Sequence, residues 1–251
     1  MRRLLHWLLR SLPVLLMVIA WEAAVRLGLV GAALLPAPTT IAAAWWRLAA
    51  DGDLLPHAAA SLWRATAGLA ISVAAGVALG LAMALSRTAE RLVQPLVTFL
   101  YPLPKSALIP IVLVWFGFGH GAQIAVIVLG CLLPVVLGAY NGARGVEPAL
   151  VWSARSLGAR RAEIVRDVVV RAALPDILAG IRVALALGFV LLVSAEMVGA
   201  RRGLGFLIAF LGETGAYPAM FAVVVTVMAL GFTADRVLLA ATRRLLRWRE
   251  A

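Results

Sequence analysis

The sequence contains few side chains that could do chemistry, and the most conspicuous is a lysine among prolines. Lys105 is the only lysine in the chain, and it lies between Pro104 and Ser106 in a stretch that also holds Pro102 and Pro110. An ionisable side chain within an apolar stretch is a candidate for a functional contact. Two interpretations stay open: a cation that meets an anionic substrate or a partner loop, or a snorkelling side chain at the inner interface of a membrane.

The groups needed for covalent or metal chemistry are missing from the sequence. A P-loop needs Gly-Lys-Ser/Thr, and the only lysine follows a proline instead. No His-Glu-x-x-His or Gly-x-Ser-x-Gly motif is present, and His57, His120, Asp51 and Asp53 lack the spacing of a metal site. We therefore expect no enzyme, and no metal or cofactor bound by this chain, so any energy must come from another subunit.

The composition indicates an integral membrane protein. Of the 251 residues 63% are hydrophobic, and the formal net charge is +11, whereas soluble domains of this length carry more polar residues. The basic residues lie in blocks between apolar runs, which favours positive-inside bias over nucleic-acid binding. Cys131, the only cysteine, lies in an apolar run and is predicted to be a buried structural thiol.

The hydropathy pattern predicts a single all-α membrane domain, residues 1–251, with about six transmembrane helices. The N-terminus superficially matches a signal peptide, but the apolar pattern continues to Val30, so we expect an uncleaved first helix. An external loop with a short amphipathic helix at residues 41–50 follows and extends to about Ala60. The later spans are expected at residues 62–85, 92–115, 122–140, 176–198 and 218–234, with a re-entrant or surface segment at 204–211.

Glycines and prolines add detail to these spans. Gly76 and Gly80 form a small-xxx-small pair suited to close helix contact. The prolines around Lys105 remove backbone donors, so we expect the third span to be kinked or partly unwound. Pro175 is predicted to occupy the first turn of the fifth helix, where its missing N–H costs nothing.

The one long polar interruption, residues 144–182, is typical of a loop with a short amphipathic helix outside the bilayer. Its apolar residues recur at helical spacing among many arginines. Ala154 and Gly158, four residues apart, would leave a low surface for close approach, and Leu157 supplies an apolar anchor. The loop is either a docking segment for an acidic partner or a basic loop held by lipid phosphates.

The centre of this loop resembles the EAA loop of ABC-importer permeases. The matching residues are Ala154-Arg155-Ser156-Leu157-Gly158-Ala159, followed by Ala173-Leu174-Pro175. Other pieces, in order along nearly the full length, resemble the permeases of sulfonate, taurine and nitrate importers: Trp21-Glu22, Leu35-Pro36-Ala37-Pro38, Ser61-Leu62-x-Arg64, Pro102-x-Pro104-Lys105, Trp115-Phe116-Gly117-x-Gly119, Gly180-Ile181-Arg182, Glu196-Met197 and Gly203-Leu204-Gly205. The family usually begins the EAA motif with an acidic residue, whereas Trp152 stands at that position here.

The resemblance implies a type I ABC-importer permease fold that moves a solute by alternating access. It implies a cytoplasmic coupling helix between the fourth and fifth spans, within a loop of about residues 142–175. The coupling helix would dock onto an ATPase subunit through Ala154, Arg155, Ser156, Leu157, Gly158 and Ala159. Lys105 and Glu196 become the candidates for the translocation pathway or a gate.

The resemblance also implies partners and a cargo. The partners would be a cytoplasmic ABC ATPase dimer that binds ATP and Mg, an extracytoplasmic substrate-binding protein, and a second copy of the permease in the lipid bilayer. The cargo would be a small anion of the aliphatic sulfonate, taurine or nitrate class, with a pyrimidine or aromatic solute as the alternative.

A secondary carrier or channel driven by an ion gradient is the competing class. It would carry buried ionisable groups in several spans and would need no docking loop, so the sequence favours the ATPase-coupled permease. Most basic residues lie in the tails and loops of one side. We therefore predict a multi-pass protein of the bacterial cytoplasmic membrane with both termini in the cytoplasm.

Overall fold

The computed structural model describes residues 2–31 and 34–249, and the regular elements in those ranges are all helical. A helix bonds its backbone groups within itself, as the interior of a bilayer requires. Three short segments have other helical geometries: a 3₁₀ turn at Lys105–Leu108, a π-helical segment at Ile164–Val169 and a 3₁₀ turn at Arg247–Arg249. The helices are α1 Arg2–Arg26, α2 Pro38–Ala50, α3 Leu54–Leu85, α4 Arg87–Leu100, α5 Ile109–Phe116, α6 His120–Arg144, α7 Pro148–Ser156, α8 Arg161–Glu163, α9 Val170–Gly199, α10 Leu204–Glu213 and α11 Tyr217–Leu245.

Helices α3, α6 and α9 form the core of the bundle, and α6 packs between the other two. The backbones approach closely at small residues. A Cβ added at Gly80 would lie 2.5 Å from Val136 O, and one added at Gly138 would lie 2.6 Å from Asp176 O. Side chains other than hydrogen do not fit at such distances. The close helix contact predicted from Gly80 is therefore confirmed, and α6 is its partner.

Four helical segments are long and apolar enough to cross a membrane, among the residues that the structure describes. They are Leu54–Leu85, His120–Arg144, Arg161–Gly199 and Tyr217–Leu245, and the α4–α5 pair adds a fifth if it counts as one crossing. The remaining predicted span, the first in the chain, corresponds to α1, which is not one of these four helices. The predicted cytoplasmic termini, Met1 and Ala251, lie outside the described residues.

The third span is broken, as its prolines predict. Helix α4 and the segment Lys105–Phe116 meet at an angle of 92°. Pro95 lies inside α4 and Pro110 lies in the first turn of α5. The break therefore falls on the short connection that contains Pro102 and Pro104, where the chain has lost backbone donors.

Helix α3 begins earlier than predicted. The residues from Leu54 to about Ala60 were expected in a loop, yet they form the first turns of the helix. Pro56 stands in the first turn, where a proline costs no intrahelical hydrogen bond. Leu54 is buried against Leu204 and Leu207, so packing against α10 stabilises these turns.

The boundary predicted for the fifth helix is also wrong. Residues Arg161–Gly199 form one long helical segment, and Pro175 lies inside α9 rather than in its first turn. A proline inside a helix removes one hydrogen bond. The helix continues through it because Ala173 and Ile177, on either side, are buried against Ala139 of α6.

Candidate functional site

A cavity of about 730 Å³ lies beside the break in the third span. It is bounded by the bend after α4, by α6 and by one side of α9, and most of its wall is apolar. Its charged and polar side chains include Lys105, Ser106, Asn141 and Asp176. Small-molecule sites commonly measure about 300–1,000 Å³. The cavity is therefore large enough for a small solute with a polar group.

Lys105 lies where the cavity meets the bend. Its Nζ donates a hydrogen bond to Tyr101 O at 2.7 Å, and Tyr101 directly follows the last residue of α4. Carbonyl groups at the C-terminus of a helix lack intrahelical donors, and a cation is favourable there. Lys105 therefore caps α4 and also places a positive charge on the cavity wall. Whether that charge meets a substrate stays a prediction.

Asp176 is a cavity residue that the sequence analysis did not single out. It is exposed on the inner part of α9 and lines the same cavity as Lys105. Within the described residues its carboxylate has neither an ion pair nor a hydrogen bond. The signal was present in the sequence, since an acidic residue directly after Pro175 interrupts an otherwise apolar helix.

Glu196 lies elsewhere, in a buried cluster near the end of α9. Its carboxylate is fully buried, and Arg64 Nη1 donates to Glu196 Oε1 at 2.6 Å. Ser61 Oγ lies 2.9 Å from Oε1 and 2.8 Å from Oε2. The backbone N–H of Gly205, in the first turn of α10, donates to Oε2 at 2.9 Å. Glu196 is absent from the wall of the Lys105 cavity, and its predicted role in a pathway or gate stays untested.

The cluster also holds the turn before α10. Arg64 Nη1 donates to Arg202 O at 2.6 Å, and Leu204 N donates to Ser61 Oγ at 2.8 Å. His57 Nδ1 lies 3.0 Å from Gly203 O and 3.1 Å from Gly203 N, so either tautomer makes a hydrogen bond. Backbone groups in four consecutive residues are thus bonded to side chains of α3 and α9.

Glycine is required where this turn meets Glu196. Gly203 has a φ of +137°, and an added Cβ would overlap the Glu196 carboxylate. A Cβ on Gly205 would lie 2.7 Å from Glu196 Cβ and would overlap Val193 O. Glycine at both positions therefore allows the N-terminus of α10 to lie against the buried carboxylate of Glu196. The helix dipole favours a negative charge at that end of a helix.

Ser61 and Arg64 belong to the motif Ser61-Leu62-x-Arg64, which resembles the family but predicted no role for either residue. The signal that could have found them is their spacing: two polar residues three apart share one face of an apolar helix. Arg64 also reaches α6, because its Nε donates to His120 Nδ1 at 3.1 Å. Among the described residues, no group of His, Cys, Asp and Glu side chains is placed to hold a metal ion.

The residues predicted to form the coupling helix, 154–159, lie partly in α7 and partly beyond its end. Ala154, Arg155 and Ser156 form the last turn of α7, whereas Leu157, Gly158 and Ala159 lie beyond the helix. Ala154 and Ala159 are half-buried, and the other four residues are exposed. Leu157 is 85% exposed and Trp152 is 65% exposed. Two large apolar side chains therefore extend from a loop that is otherwise rich in arginine.

Gly158 closes this helix through its backbone conformation. It has a φ of +83°, Gly158 N donates to Arg155 O at 2.9 Å, and Ala159 N donates to Ala154 O at 3.0 Å. This pair of hydrogen bonds is the Schellman motif, which usually takes glycine at the left-handed position. Apart from its two chain neighbours, no described residue has an atom within 4 Å of a Cβ added there. The explanation of Gly158 as part of a low helix face is wrong, because α7 has already ended.

A helical membrane bundle with a solute-sized cavity and an exposed loop helix is typical of the transport permeases. The family described as "Binding-protein-dependent transport system inner membrane component" matches residues 72–247. Because the match covers more than half of the chain, the chain belongs to this family. It is an ABC-importer permease subunit of the cytoplasmic membrane.

Individual relatives and a solved structure agree with this assignment. The chain is 36% identical to the putative aliphatic sulfonates transport permease protein SsuC of Escherichia coli K12, over 98% of this chain and 94% of the relative. It is 35% identical to the taurine transport system permease protein TauC of the same organism, over 95% of this chain and 88% of the relative. The inward-facing MetNI methionine ABC transporter shares the fold, with a TM-score of 0.57 and 22% identity over 73% of this chain and 94% of that chain.

Proposed function

We propose that this chain moves an aliphatic sulfonate or taurine across the cytoplasmic membrane, driven by a separate ABC ATPase that binds ATP and Mg. The names of the relatives support the cargo class. The observation that carries the proposal is the exposure of Leu157, which is 85%, at the end of a short helix outside the apolar spans. Burial of this side chain in the pocket of a partner would remove apolar surface from water, which is favourable.

The exposed side chains of the predicted coupling loop, about residues 142–175 and hereafter the docking loop, indicate which groups the partner surface would present. Trp152 and Leu157 would enter an apolar pocket, since large apolar side chains in desolvated pockets supply most of the binding energy in many interfaces. Arg155 and Arg160 are exposed beside them and would pair with carboxylates at the rim of the pocket. Trp152 stands where the EAA motif of the family usually begins with an acidic residue, so we expect the ATPase groove for this chain to be apolar at that point.

The cavity supports the cargo assignment. A sulfonate is an anion with hydrogen-bond acceptors, and Lys105 supplies a cation to an otherwise apolar wall. The remaining wall would contact the short alkyl part of the solute. Lys105 would therefore recognise the head group, while apolar contacts tolerate alkyl chains of different length.

A second copy of the chain would complete the pathway. Val183, Leu187 and Val190 line the open side of the cavity and are 54%, 43% and 64% exposed. In a homodimer these residues would face the same surface of the other copy, so that two half-cavities join around the twofold axis. A binding protein would deliver the solute at the outer end, beside the turn before α10.

The proposed mechanism is alternating access between two packings of the dimer. Closure of the ATPase dimer would draw the two α7 helices together on the cytoplasmic side. The inner mouth of the joined cavity would then close while the outer mouth opens. ATP hydrolysis would return the dimer to the inward-facing state.

Transport by purified components tests the proposal. The chain would be reconstituted with its ATPase and binding protein in proteoliposomes, and uptake of labelled taurine and ethanesulfonate would be measured. We expect uptake that requires ATP and all three components. Uptake that proceeds without ATP and follows an imposed ion gradient would contradict the proposal and favour a secondary carrier.

A further inference from the structure

Ser61, Arg64 and Glu196, hereafter the outer latch, join three helices at the end of the molecule opposite α7. We propose that they are positioning residues that fix α3, α9 and α10 as one rigid unit, so that motion of the docking loop reaches the turn before α10 undiminished. The inference rests on the proposed function, because it needs a partner that moves the loop.

The hydrogen-bond pattern of the latch supports a fixed unit. Glu196 comes from α9, Ser61 and Arg64 come from α3, and each bonds both to another latch residue and to the turn before α10 or its first residues. Removing any one side chain would therefore release a helix–helix bond and a turn bond together. Such shared networks couple their members more strongly than separate pairs do.

Burial makes the latch costly to open. The exposed fractions are 2% for Ser61, 3% for Arg64 and 0% for Glu196. Breaking a buried ion pair leaves charges without water or a partner. The closed latch is thus strongly favoured over any state in which α10 moves away from α9, and the three helices are expected to move together.

Helix α9 connects the latch to the docking loop. The helical segment Arg161–Gly199 has 39 residues, and Glu196 lies in its last turn. At the other end, α7 packs against the π-helical segment that leads into α9. A displacement of α7 therefore acts on a single helix that ends in the latch, and the latch passes the displacement to α10 and α3.

Hydrogen exchange measures the latch directly, because the amides of Leu204 and Gly205 donate to latch side chains. Exchange of peptides covering residues 202–207 would be followed in the full chain, assembled with its ATPase. We expect Glu196→Gln and Arg64→Gln each to accelerate exchange there by about tenfold or more, since exchange rates report local opening. The double variant Arg64→Gln/Glu196→Gln should exchange more slowly than either single variant, because it leaves no unpaired buried charge.

A functional readout separates positioning from stability alone. In the full assembly we expect the single variants to bind the ATPase and keep its basal hydrolysis. Stimulation of hydrolysis by the loaded binding protein should fall by about tenfold, because the outer end no longer follows the loop. If a charge variant does not fold, Ser61→Ala carries the test, since it removes the bond to Leu204 without stranding a full charge.

Glu213→Gln is the matched control, because Glu213 is exposed at the far end of the same helix α10. It should change neither exchange at residues 202–207 nor stimulation. Unchanged exchange and stimulation in the latch variants, with a normally stimulated wild type, would overturn the inference alone. A changed KM for cargo with unchanged exchange would also overturn it and make Glu196 a pathway residue. A wild type that is not stimulated at all would instead count against the proposed function.

Discussion

At the scale of single residues, two glycines and the lysine have structural roles that differ from those that their spacing suggests. Gly158 serves a left-handed turn, Gly203 makes room for a carboxylate, and Lys105 caps a broken helix while facing a cavity. Each of these roles depends on the folded backbone or on a contact that the spacing of residues alone does not reveal. Substitutions that separate backbone from side-chain effects are therefore the informative ones.

The turn at Gly158 is tested by comparing valine with asparagine. A non-glycine residue in the left-handed region costs about 1–2 kcal/mol, and asparagine enters that region more readily than other residues. We expect Gly158→Val to lose most ATPase binding and uptake while the chain stays inserted. Gly158→Asn should retain at least half of both. If asparagine proves as damaging as valine, the partner surface rather than the turn excludes the side chain.

The charge of Lys105 is tested by Lys105→Gln, which keeps a donor for Tyr101 O but removes the cation. A hydrogen bond to a charged group contributes about 1.5–3 kcal/mol. We therefore expect the KM for an anionic solute to rise by at least about tenfold, with ATPase binding intact, in a reconstituted uptake assay. Lys105→Arg, which keeps the cation, is the control and should keep the KM close to the wild-type value. Unchanged uptake kinetics in Lys105→Gln would favour the snorkelling interpretation.

At the scale of elements, the bundle depends on close contact between α6 and its neighbours. A Cβ at Gly138 would lie 2.6 Å from Asp176 O and 3.1 Å from Gly180 Cα. Both obstacles are backbone atoms, so the helices would have to separate. The cavity beside this contact is lined by the same residues and would change shape with it.

Gly138→Ala is therefore expected to destabilise the bundle by about 1–3 kcal/mol, the usual cost of overpacking. The measurement is the thermal unfolding of the purified chain in detergent. Gly121→Ala is the matched control on the same helix, because, apart from the adjoining backbone of α6, no described residue lies within 4 Å of its added Cβ. Equal melting temperatures for the two variants would show that α6 and α9 can part at no cost.

At the scale of the whole molecule, orientation decides whether the docking loop can meet a cytoplasmic motor. Cys131 is buried and is the only cysteine, so an added cysteine can be labelled without background. We expect Leu157→Cys to react with a membrane-impermeant maleimide only in inverted vesicles. Arg201→Cys, at the other end of α9, should react only in intact spheroplasts. Labelling of Leu157→Cys from outside would contradict the predicted topology.

Much of the fold could be predicted because hydropathy and proline are local signals. The fourth span, the break near Lys105 and the short helix α10 follow directly from runs of neighbouring residues. The contacts within the latch could not be predicted, since Ser61 and Arg64 meet Glu196 across 135 and 132 residues of sequence. The first turns of α3 were missed for the same reason, because their stability comes from contact with α10.

The length of the segment that ends in the latch also bears on what surrounds α7. A helix of 39 residues is about 58 Å long at 1.5 Å per residue, whereas a bilayer with its headgroups is about 40–45 Å thick. If its axis runs along the membrane normal and its outer end is level with one headgroup layer, the segment would extend about 13 Å past the other layer. Electrostatic forces in physiological salt fade over about 8 Å. Arg161, at the start of the segment, would then lie beyond the range of the phosphate plane, whereas Arg166 and Arg171 lie closer to it and already pair with Asp167 of the same chain.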